Sequence, residues 1–344
     1  MHNLTKFFWQ VYLNRPWADR SVPIIEIEDV VAINFNSMFD RNYALMGTDQ
    51  LIYHIDKIGE GKRFLFVFED GCNPLLSGGI EIVKLIIKKY SLTTETCVMF
   101  CRDDLDIPNV TIIKHDSIQM WINVLYPTIK DITISTNRFT KKFAAWFHRG
   151  TFYRLQIARQ LYTNYKEDSY ISYQERGMLF DLPFIKHFED DIAWADANTP
   201  IIYDQLFPMR VYSHDMIVGA GRKPYHDYFM EIVVETDCIS NTWITEKTIK
   251  NLYIGKPFIM MGGAHSLTRL HQAGFKTFSP WINERYDQIE NNYMRFEAIK
   301  QEIDRIAMLS IDELNNIYQE MMPVLEYNRQ YYLQLYYSQL PPRF

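Results

Sequence analysis

Three side chains in one short segment, Trp243, Glu246 and Lys247, have the types and spacing to bind a nucleotide. Thr245 is a favourable N-cap, so Glu246 and Lys247 are predicted to lie in the first turn of a helix. A helix start offers unpaired backbone N–H groups and the positive end of the helix dipole, which favour a phosphate. Lys247 would neutralise a diphosphate, Glu246 would accept hydrogen bonds from ribose hydroxyls, and Trp243 would stack on a flat ring.

The same residues also have an ordinary structural interpretation. An acidic residue in the first turn of a helix complements the helix dipole, and a lysine beside it is commonly solvated. The Thr-Glu-Lys pattern alone does not decide between the two interpretations, and both stay open at this point. Glu235, which ends the apolar run before the loop, is grouped with the candidate catalytic residues because it would orient that loop.

A second set of candidate ligands lies in a stretch that has no acidic residue between Asp131 and Glu167. Lys141–Phe147 predicts a strand, and Arg149 and Arg154 follow it at the turn and near the start of the next helix. Guanidinium groups match phosphate oxygens in pairs, so these two arginines are predicted to bind a diphosphate. A position on the helix surface is the alternative for Arg154.

Two acidic residues, Glu69 and Asp70, follow a strongly apolar strand predicted at Arg63–Phe68. In open α/β sheets, ligands bind at the carboxyl ends of the strands. A carboxylate at that edge can take the proton from an attacking hydroxyl group, so Asp70 is the first candidate for a catalytic base and Glu69 is the second. The alternative is a simple turn in which Asp70 bonds its own backbone.

The segment Phe229–Gly263 supplies the framework for the first set of residues. Met230–Glu235 predicts a strand, a helix follows from Thr245, and Pro257–Met261 predicts a second strand. Gly255 is suited to end the helix between them. The predicted inner face of that helix consists of Ile249, Leu252 and Tyr253. Strand, helix and strand form a βαβ unit, which is typical of a parallel sheet.

Predicted strands and helices alternate along the rest of the chain. Further strands are predicted at Val30–Phe35, Thr96–Cys101, Val110–Lys114, Asp131–Ser135, Ser169–Tyr173, Met209–Ile217 and Phe275–Phe278. Further helices are predicted at Pro74–Tyr90, Ser117–Leu125, Thr151–Tyr165, Ala264–Ala273, Tyr286–Met308 and Ile311–Tyr337. The acidic residues Glu189–Asp191 are expected on a solvated face. This alternation predicts an α/β protein, with one α/β domain over residues 1–138 and a second over residues 139–310.

Length and composition favour two packed domains. A chain of 344 residues is too long for one ordinary core, and its 47% of hydrophobic residues argue against disorder. The net charge of -6 argues mildly against nonspecific nucleic-acid binding by the whole surface. No apolar run approaches the about 18 residues of a membrane-spanning helix. No membrane anchor is therefore expected, and a cytoplasmic location is predicted.

Residues 235–247 resemble the nucleotide-sugar motif of α1,3-fucosyltransferase-type enzymes. In that family, a strand end with Phe-Glu-Asn-Ser leads to Tyr-(Ile/Val)-Thr-Glu-Lys. Glu235 matches the first glutamate of the family, Trp243 its tyrosine, and Thr245–Lys247 its Thr-Glu-Lys. Thr236 and Asp237 depart from the asparagine and the serine, and the motif therefore does not indicate a particular sugar nucleotide.

The segment Phe258–Asp287 is similar to uncharacterised glycosyltransferase-like proteins of large phages. Those proteins carry Thr-Glu-Lys, Gly-x-Pro-Phe-Ile and Gly-Phe-Lys-Thr-Phe in this order, as the chain does. Both resemblances together cover roughly Ala144–Asp287. They imply a GT-B-like fold, in which two Rossmann-type domains face a central cleft and a C-terminal helix, residues 311–344, packs back on the first domain.

The resemblance implies a glycosyltransferase that moves a sugar from a nucleoside diphosphate sugar, its donor substrate, to the hydroxyl of a glycan or of a modified DNA base. Arg149 matches an arginine that contacts the nucleotide phosphates in the family. Cationic side chains would stabilise the leaving diphosphate, and no cofactor or metal is expected. Two alternatives stay open: a DNA glycosyltransferase acting on hydroxymethylated bases of phage DNA, and a nucleotide-sugar-binding protein without turnover.

Overall fold

The chain divides by its contacts into a first unit, Met1–Asp116, and a second unit, Ser117–Phe344. The computed structural model describes residues 24–27, 30–34, 53, 55–56, 62–67, 79–94, 96–101, 105–114, 116–132, 138–147, 151–173, 189–199, 201, 225–235, 238 and 244–338. Each unit is built around its own β-sheet, and the predicted α/β class is confirmed. The predicted boundary after residue 138 and the return of the last helix to the first domain stay predictions.

The first unit contains a five-stranded sheet in the order β1-β2-β3-β4-β5. Its elements are β1 (Ile24–Ile27), β2 (Val30–Asn34), β3 (Arg63–Val67), α1 (Gly79–Tyr90), β4 (Cys97–Cys101) and β5 (Thr111–Lys114). Strands β2 to β5 are parallel, and β1 is antiparallel to β2. Helix α1, which lies within the helix predicted at Pro74–Tyr90, is amphipathic, because Val83 and Ile86 are buried in the core of this unit whereas Lys84 and Lys88 are exposed.

The second unit contains a four-stranded parallel sheet in the order β7-β6-β8-β9. Its strands are β6 (Lys141–Phe147), β7 (Ser169–Tyr173), β8 (Tyr228–Val234) and β9 (Phe258–Met261). Its helices are α2 (Ser117–Ile129), α3 (Phe152–Asn164), α4 (Glu189–Asn198), α5 (Glu246–Ile254), α6 (Ser266–Gln272), α7 (Asn292–Ala307) and α8 (Ile311–Ser338). All seven residues of β8 are buried, as expected for a central parallel strand that is covered on both faces.

The predicted βαβ unit is confirmed as β8, α5 and β9. Helix α5 begins after Thr245, whose side chain accepts a hydrogen bond from the backbone N–H of Lys247, and ends at Gly255, which has a φ of 70°. The predicted inner face is buried, but so are Thr248, Lys250 and other residues of the opposite face. The reason is that α5 packs against α2 and α8 as well as against the sheet, so it has no fully solvated side.

Helix α8 braces the second unit along its whole length. The hydroxyl of Tyr318 donates to the carbonyl of Gly255 (2.8 Å), and that of Tyr332 donates to the carbonyl of Ile122 (3.0 Å). The guanidinium of Arg329 donates to the carbonyl of Tyr253 and stacks over the ring of the same residue. These long-range bonds connect α8 to α2 and to the end of α5.

The strand predicted at Phe275–Phe278 is wrong. The segment has no regular secondary structure and pairs with none of the strands that the structure describes, because side chains take its backbone groups instead. The side chain of Asn328 accepts from the N–H of Lys276 (2.9 Å) and donates to its carbonyl (2.8 Å), and Glu284 accepts from the N–H of Phe278 (2.7 Å).

The solvated face expected for Glu189–Asp191 is also corrected. Asp191 is 7% exposed and accepts hydrogen bonds from Gln156 and Arg159 of α3, so one of these acids joins α4 to α3. The strand predicted at Met209–Ile217 lies outside the described residues, as does most of the one predicted at Asp131–Ser135. Among the described residues, no helix is long and apolar enough to cross a membrane.

Gly274, in the Gly-Phe-Lys-Thr-Phe segment, occupies a position that no other residue type fits. Its φ is +95°, and an added Cβ would lie 2.5 Å from the hydroxyl oxygen of Tyr331. Gly274→Ala should therefore lower the free energy of unfolding by about 3 kcal/mol, from backbone strain and overpacking together. Urea denaturation of the single variants and of Gly274→Ala/Tyr331→Ala tests this, because the double variant should lose less than the sum. Additive losses would contradict the clash.

Lys256 is buried at the amino end of β8, with only 1% of its surface exposed. Its ammonium donates to the carbonyl of Tyr228 (2.6 Å) and lies over the rings of Phe139 (4.3 Å), Tyr228 (4.7 Å) and Tyr318 (5.6 Å). Burial holds the pKa of Lys256 well below its usual value, although the charges of Glu231 and Asp227 act in the opposite direction.

This lowered pKa predicts a rise of stability with pH. Between the folded pKa and the unfolded value of about 10.5, the unfolded chain holds a proton that the folded chain has lost, so the free energy of unfolding rises with pH. Lys256→Met removes this contribution, and the difference between the variant and the original chain should change by up to about 1.4 kcal/mol per pH unit. Urea denaturation from pH 7 to 9.5 measures it. Parallel pH profiles would contradict the prediction.

Candidate functional site

The strand order of the second sheet has a switch point between β6 and β8. The chain passes from β6 outward to β7, and then returns to place β8 on the other side of β6 and β9 beyond it. In open α/β sheets, ligands bind outside the carboxyl ends of the two strands at such a point. Helix α3 follows the carboxyl end of β6, and α5 follows that of β8. The described members of the two predicted sets, Arg154 and Thr245–Lys247, follow these two strand ends in the chain.

Glu235 connects the carboxyl end of β8 to the first turn of α5. Its side chain is fully buried and accepts hydrogen bonds from the backbone N–H of Thr245 (3.0 Å), the hydroxyl of Thr245 (2.6 Å) and the hydroxyl of Thr248 (2.7 Å). Its own N–H donates to the carbonyl of Met261 in β9 (2.9 Å). A buried carboxylate is costly unless it is hydrogen-bonded, so this network fixes where α5 begins. The arrangement supports the orienting role expected for Glu235.

Lys247 lies over the cap of the same helix. Its ammonium donates to the hydroxyl of Thr245 (2.9 Å) and is 2.9 Å from a carboxylate oxygen of Glu246 and 3.7 Å from one of Glu235. The side chain of Lys247 is 23% exposed and that of Glu246 is 12% exposed. Glu246 and Lys247 therefore form an ion pair that is partly withdrawn from water and lies directly at the positive end of α5.

The environment of Glu246 keeps it ionised. Burial raises the pKa of Glu246, but the charge of Lys247 and hydrogen bonds from Lys247, from Thr245 and from its own backbone outweigh burial, and the net pKa lies below its usual value. The Glu246 side chain is thus an anionic acceptor beside a cation. A ribose diol needs such an acceptor, and a phosphate needs such a cation.

Arg154 is buried at the same edge, and the helix-surface alternative for it is wrong. It is 3% exposed, and its Nε and Nη2 donate to the carbonyl of Val234, at 3.2 and 3.0 Å. Val234 is the last residue of β8, immediately before Glu235. Burial raises the pKa of Tyr173, at the end of β7, to about 12, whereas the charge of Arg154 acts to lower it. Contact between Arg154 and a diphosphate stays a prediction.

Arg295 of α7 is a residue of this edge that the sequence does not reveal. Its guanidinium is buried and donates to the carbonyl of Cys238 (2.8 Å), in the loop after β8, and to that of Gly262 (3.1 Å), directly after β9. It also donates to the carbonyl of Ile289 (2.6 Å). The pKa of Arg295 is lowered by burial. An arginine within an amphipathic helix gives no sequence signal for such a role, because its partners are distant in the chain.

Four predicted site residues lie outside the described residues: Glu69, Asp70, Arg149 and Trp243. Strand β3 ends at Val67 and β6 ends at Phe147, and the placement of Glu69, Asp70 and Arg149 beyond these ends stays a prediction. Within the described part, Glu235 and Thr245–Lys247 form one hydrogen-bond network. Arg154 donates to the carbonyl of Val234, the residue before Glu235.

No protein-family model matches the chain, and neither a curated protein nor a solved structure does so. The likeness to glycosyltransferases therefore depends on the motifs in residues 144–287 alone. Among the described residues, no group of three or more histidine, cysteine, aspartate or glutamate side chains could hold a metal ion.

The bonds of Glu235 predict a structural effect of its removal. Glu235→Ala leaves the N–H of Thr245 and the hydroxyl of Thr248 without their acceptor in a buried place, and should lower the free energy of unfolding by about 3 kcal/mol. Glu290→Ala is the matched control, because Glu290 is exposed and pairs only at the surface with His265, where such pairs contribute less than about 1 kcal/mol. Equal losses in urea denaturation would contradict the role of Glu235.

Proposed function

We propose that the chain is a glycosyltransferase that moves a sugar from a nucleoside diphosphate sugar to a hydroxyl acceptor. The observation that carries this proposal is the arrangement of Glu246 and Lys247 at the start of α5, held against the carboxyl edge of the sheet by the buried carboxylate of Glu235. An anion, a cation and a helix start at a switch point together match the ribose and the diphosphate of a nucleotide.

Each residue has a role in the proposed site. Lys247 and the predicted phosphate ligands Arg149 and Arg154 would bind the diphosphate, at the positive end of the α5 dipole. Glu246 would accept hydrogen bonds from the ribose, and Trp243 would stack on the base or the sugar. Glu235 does not touch the substrate in this proposal, since its bonds to α5 already occupy both of its oxygens.

The chemistry of transfer follows from these roles. The bond from the sugar to the diphosphate breaks as the acceptor oxygen attacks, and negative charge develops on the leaving diphosphate. Fixed cations aimed at that charge stabilise the transition state, which supports transfer without a metal ion. Asp70, or Glu69 beside it, would take the proton of the acceptor hydroxyl. A GT-B arrangement, in which the first unit presents this base across a cleft, is part of the proposal.

Nucleotide binding gives the first test. Glu246→Ala and Lys247→Met should each weaken binding of a nucleoside diphosphate by about tenfold, or about 1.4 kcal/mol, because each removes one charged partner. Thermal-shift titration with a panel of nucleoside diphosphates and their sugars measures this. Lys300→Met is the control, since Lys300 forms an ion pair with Glu297 within α7 and should not change the affinity. Unchanged affinity in both site variants would remove the proposed site.

Turnover gives the second test. An enzyme should release the nucleoside diphosphate slowly from its preferred nucleotide sugar, with free sugar from transfer to water, and faster when an added acceptor takes the sugar. A binding protein would show affinity and release no sugar. Hydroxymethylcytosine DNA and small glycans as parallel acceptors identify which hydroxyl is used. Absence of sugar release with every donor that binds would overturn the enzymatic proposal while leaving the nucleotide site intact.

A further inference from the structure

The charge of Lys247 is already compensated within the protein. Its ammonium lies 2.9 Å from Glu246 and 3.7 Å from Glu235, and it donates to the hydroxyl of Thr245. Two carboxylates thus face one ammonium at the start of α5. An isolated phosphate that approached Lys247 would meet the negative charge of Glu246 at nearly the same distance, and the two like charges would repel each other.

The two carboxylates differ in how firmly they are held. Glu235 is 0% exposed and is fixed by backbone and hydroxyl donors from Thr245 and Thr248. Glu246 is partly exposed, and its partners Lys247 and Thr245 belong to its own turn. Rotation of the Glu246 side chain therefore breaks only local bonds, whereas displacement of Glu235 would detach α5 from the sheet. Glu246 is the partner that a ligand can take from Lys247.

We propose that nucleotide binding exchanges the Glu246–Lys247 ion pair for two bonds to the ligand. The hydroxyl groups of the ribose diol donate to the carboxylate of Glu246, and the released ammonium of Lys247 pairs with the diphosphate. This inference rests on the proposed function and adds the source of its selectivity. The site binds a ribonucleoside diphosphate and rejects both inorganic pyrophosphate and a 2′-deoxyribonucleoside diphosphate, because neither of the latter offers the complete diol that compensates Glu246.

The selectivity has a direct physical cause. A carboxylate with two oxygens can accept one hydrogen bond from each hydroxyl of a vicinal diol. When the ligand has no diol, Glu246 has two possible arrangements, and both are unfavourable. The carboxylate either keeps Lys247 and withholds it from the phosphate, or gives up Lys247 and stays uncompensated beside an anion. Sites built to bond a hydroxyl reject analogues that lack it for the same reason.

Isothermal titration calorimetry with three ligands tests the exchange. The ligands are inorganic pyrophosphate, the ribonucleoside diphosphate that binds tightest in the panel, and its 2′-deoxy analogue. The original chain should bind the ribonucleotide at least about tenfold more tightly than either of the others. Glu246→Gln removes the competing charge but keeps the shape, so it should bind pyrophosphate about fivefold more tightly than the original chain. Its ratio of ribo to deoxy affinity should fall towards one.

Two controls make the test specific. Glu290→Gln, which removes the exposed carboxylate beside His265, should leave all three affinities unchanged. Lys247→Gln should weaken pyrophosphate binding more in the Glu246→Gln background than in the original chain, because in the original chain Glu246 keeps Lys247 from the phosphate. A pyrophosphate affinity that stays the same or falls in Glu246→Gln overturns the exchange, as does a ribo to deoxy ratio that persists.

The outcomes also separate this inference from the proposed function. If the original chain binds none of the three ligands and no nucleotide sugar, the proposed function fails. If it binds the ribonucleotide and transfers a sugar, but Glu246→Gln leaves pyrophosphate affinity unchanged, the proposed function stands and the exchange alone is overturned. If the exchange is measured and no sugar is transferred, the selectivity belongs to a nucleotide-binding site without turnover.

Discussion

The second unit depends on one constraint: the carboxylates that β8 turns towards α5 are buried and must be compensated where they lie. Glu235 is compensated by the donors of the first turn of α5. Glu231, four residues earlier on the same face of the strand, is compensated by the buried ammonium of Lys250. A sliding or tilting α5 would uncover both charges in a medium of low polarity. The position of α5 on the sheet is therefore fixed, and with it the position of Glu246 and Lys247 in its first turn.

The two edges of the second sheet are consequently different. At the carboxyl edge, the charged side chains of Arg154 and Arg295 donate hydrogen bonds to carbonyls at the end of β8 and after it. The amino edge places Lys256 among aromatic rings, where its amine bonds to the carbonyl of Tyr228, while the hydroxyl of Tyr318 bonds to the carbonyl of Gly255, directly before Lys256. Helix α8 closes that edge. The aromatic packing thus lies at the amino edge of the sheet. The carboxyl edge, where a ligand would bind, can therefore carry polar groups.

The sequence predicts those elements whose ends are determined by residues close to them in the chain. The cap at Thr245 and the stop at Gly255 are fixed by their own turns, so α5 and its flanking strands were found. The sequence predicts a strand at Phe275–Phe278, yet the backbone partner of Lys276 is the side chain of Asn328, more than fifty residues later. Arg295 was missed for the same reason, since a side chain that bonds distant carbonyls leaves no periodic pattern. The likeness to a family supplied the roles of residues 235–247, which periodicity alone does not give.

Arg295 has a dynamic consequence. One guanidinium holds the carbonyls of Cys238 and Gly262 together with that of Ile289, so these three points of the chain are tied to one side chain. If one of these carbonyls moved away, a charged N–H group of Arg295 would stay buried without an acceptor. Release of all three chain segments together therefore costs less free energy than release of one. Such a group behaves as a single foldon. Slow amide exchange should therefore extend to the chain around Cys238, Gly262 and Ile289, although none of these three residues lies in a helix or a strand.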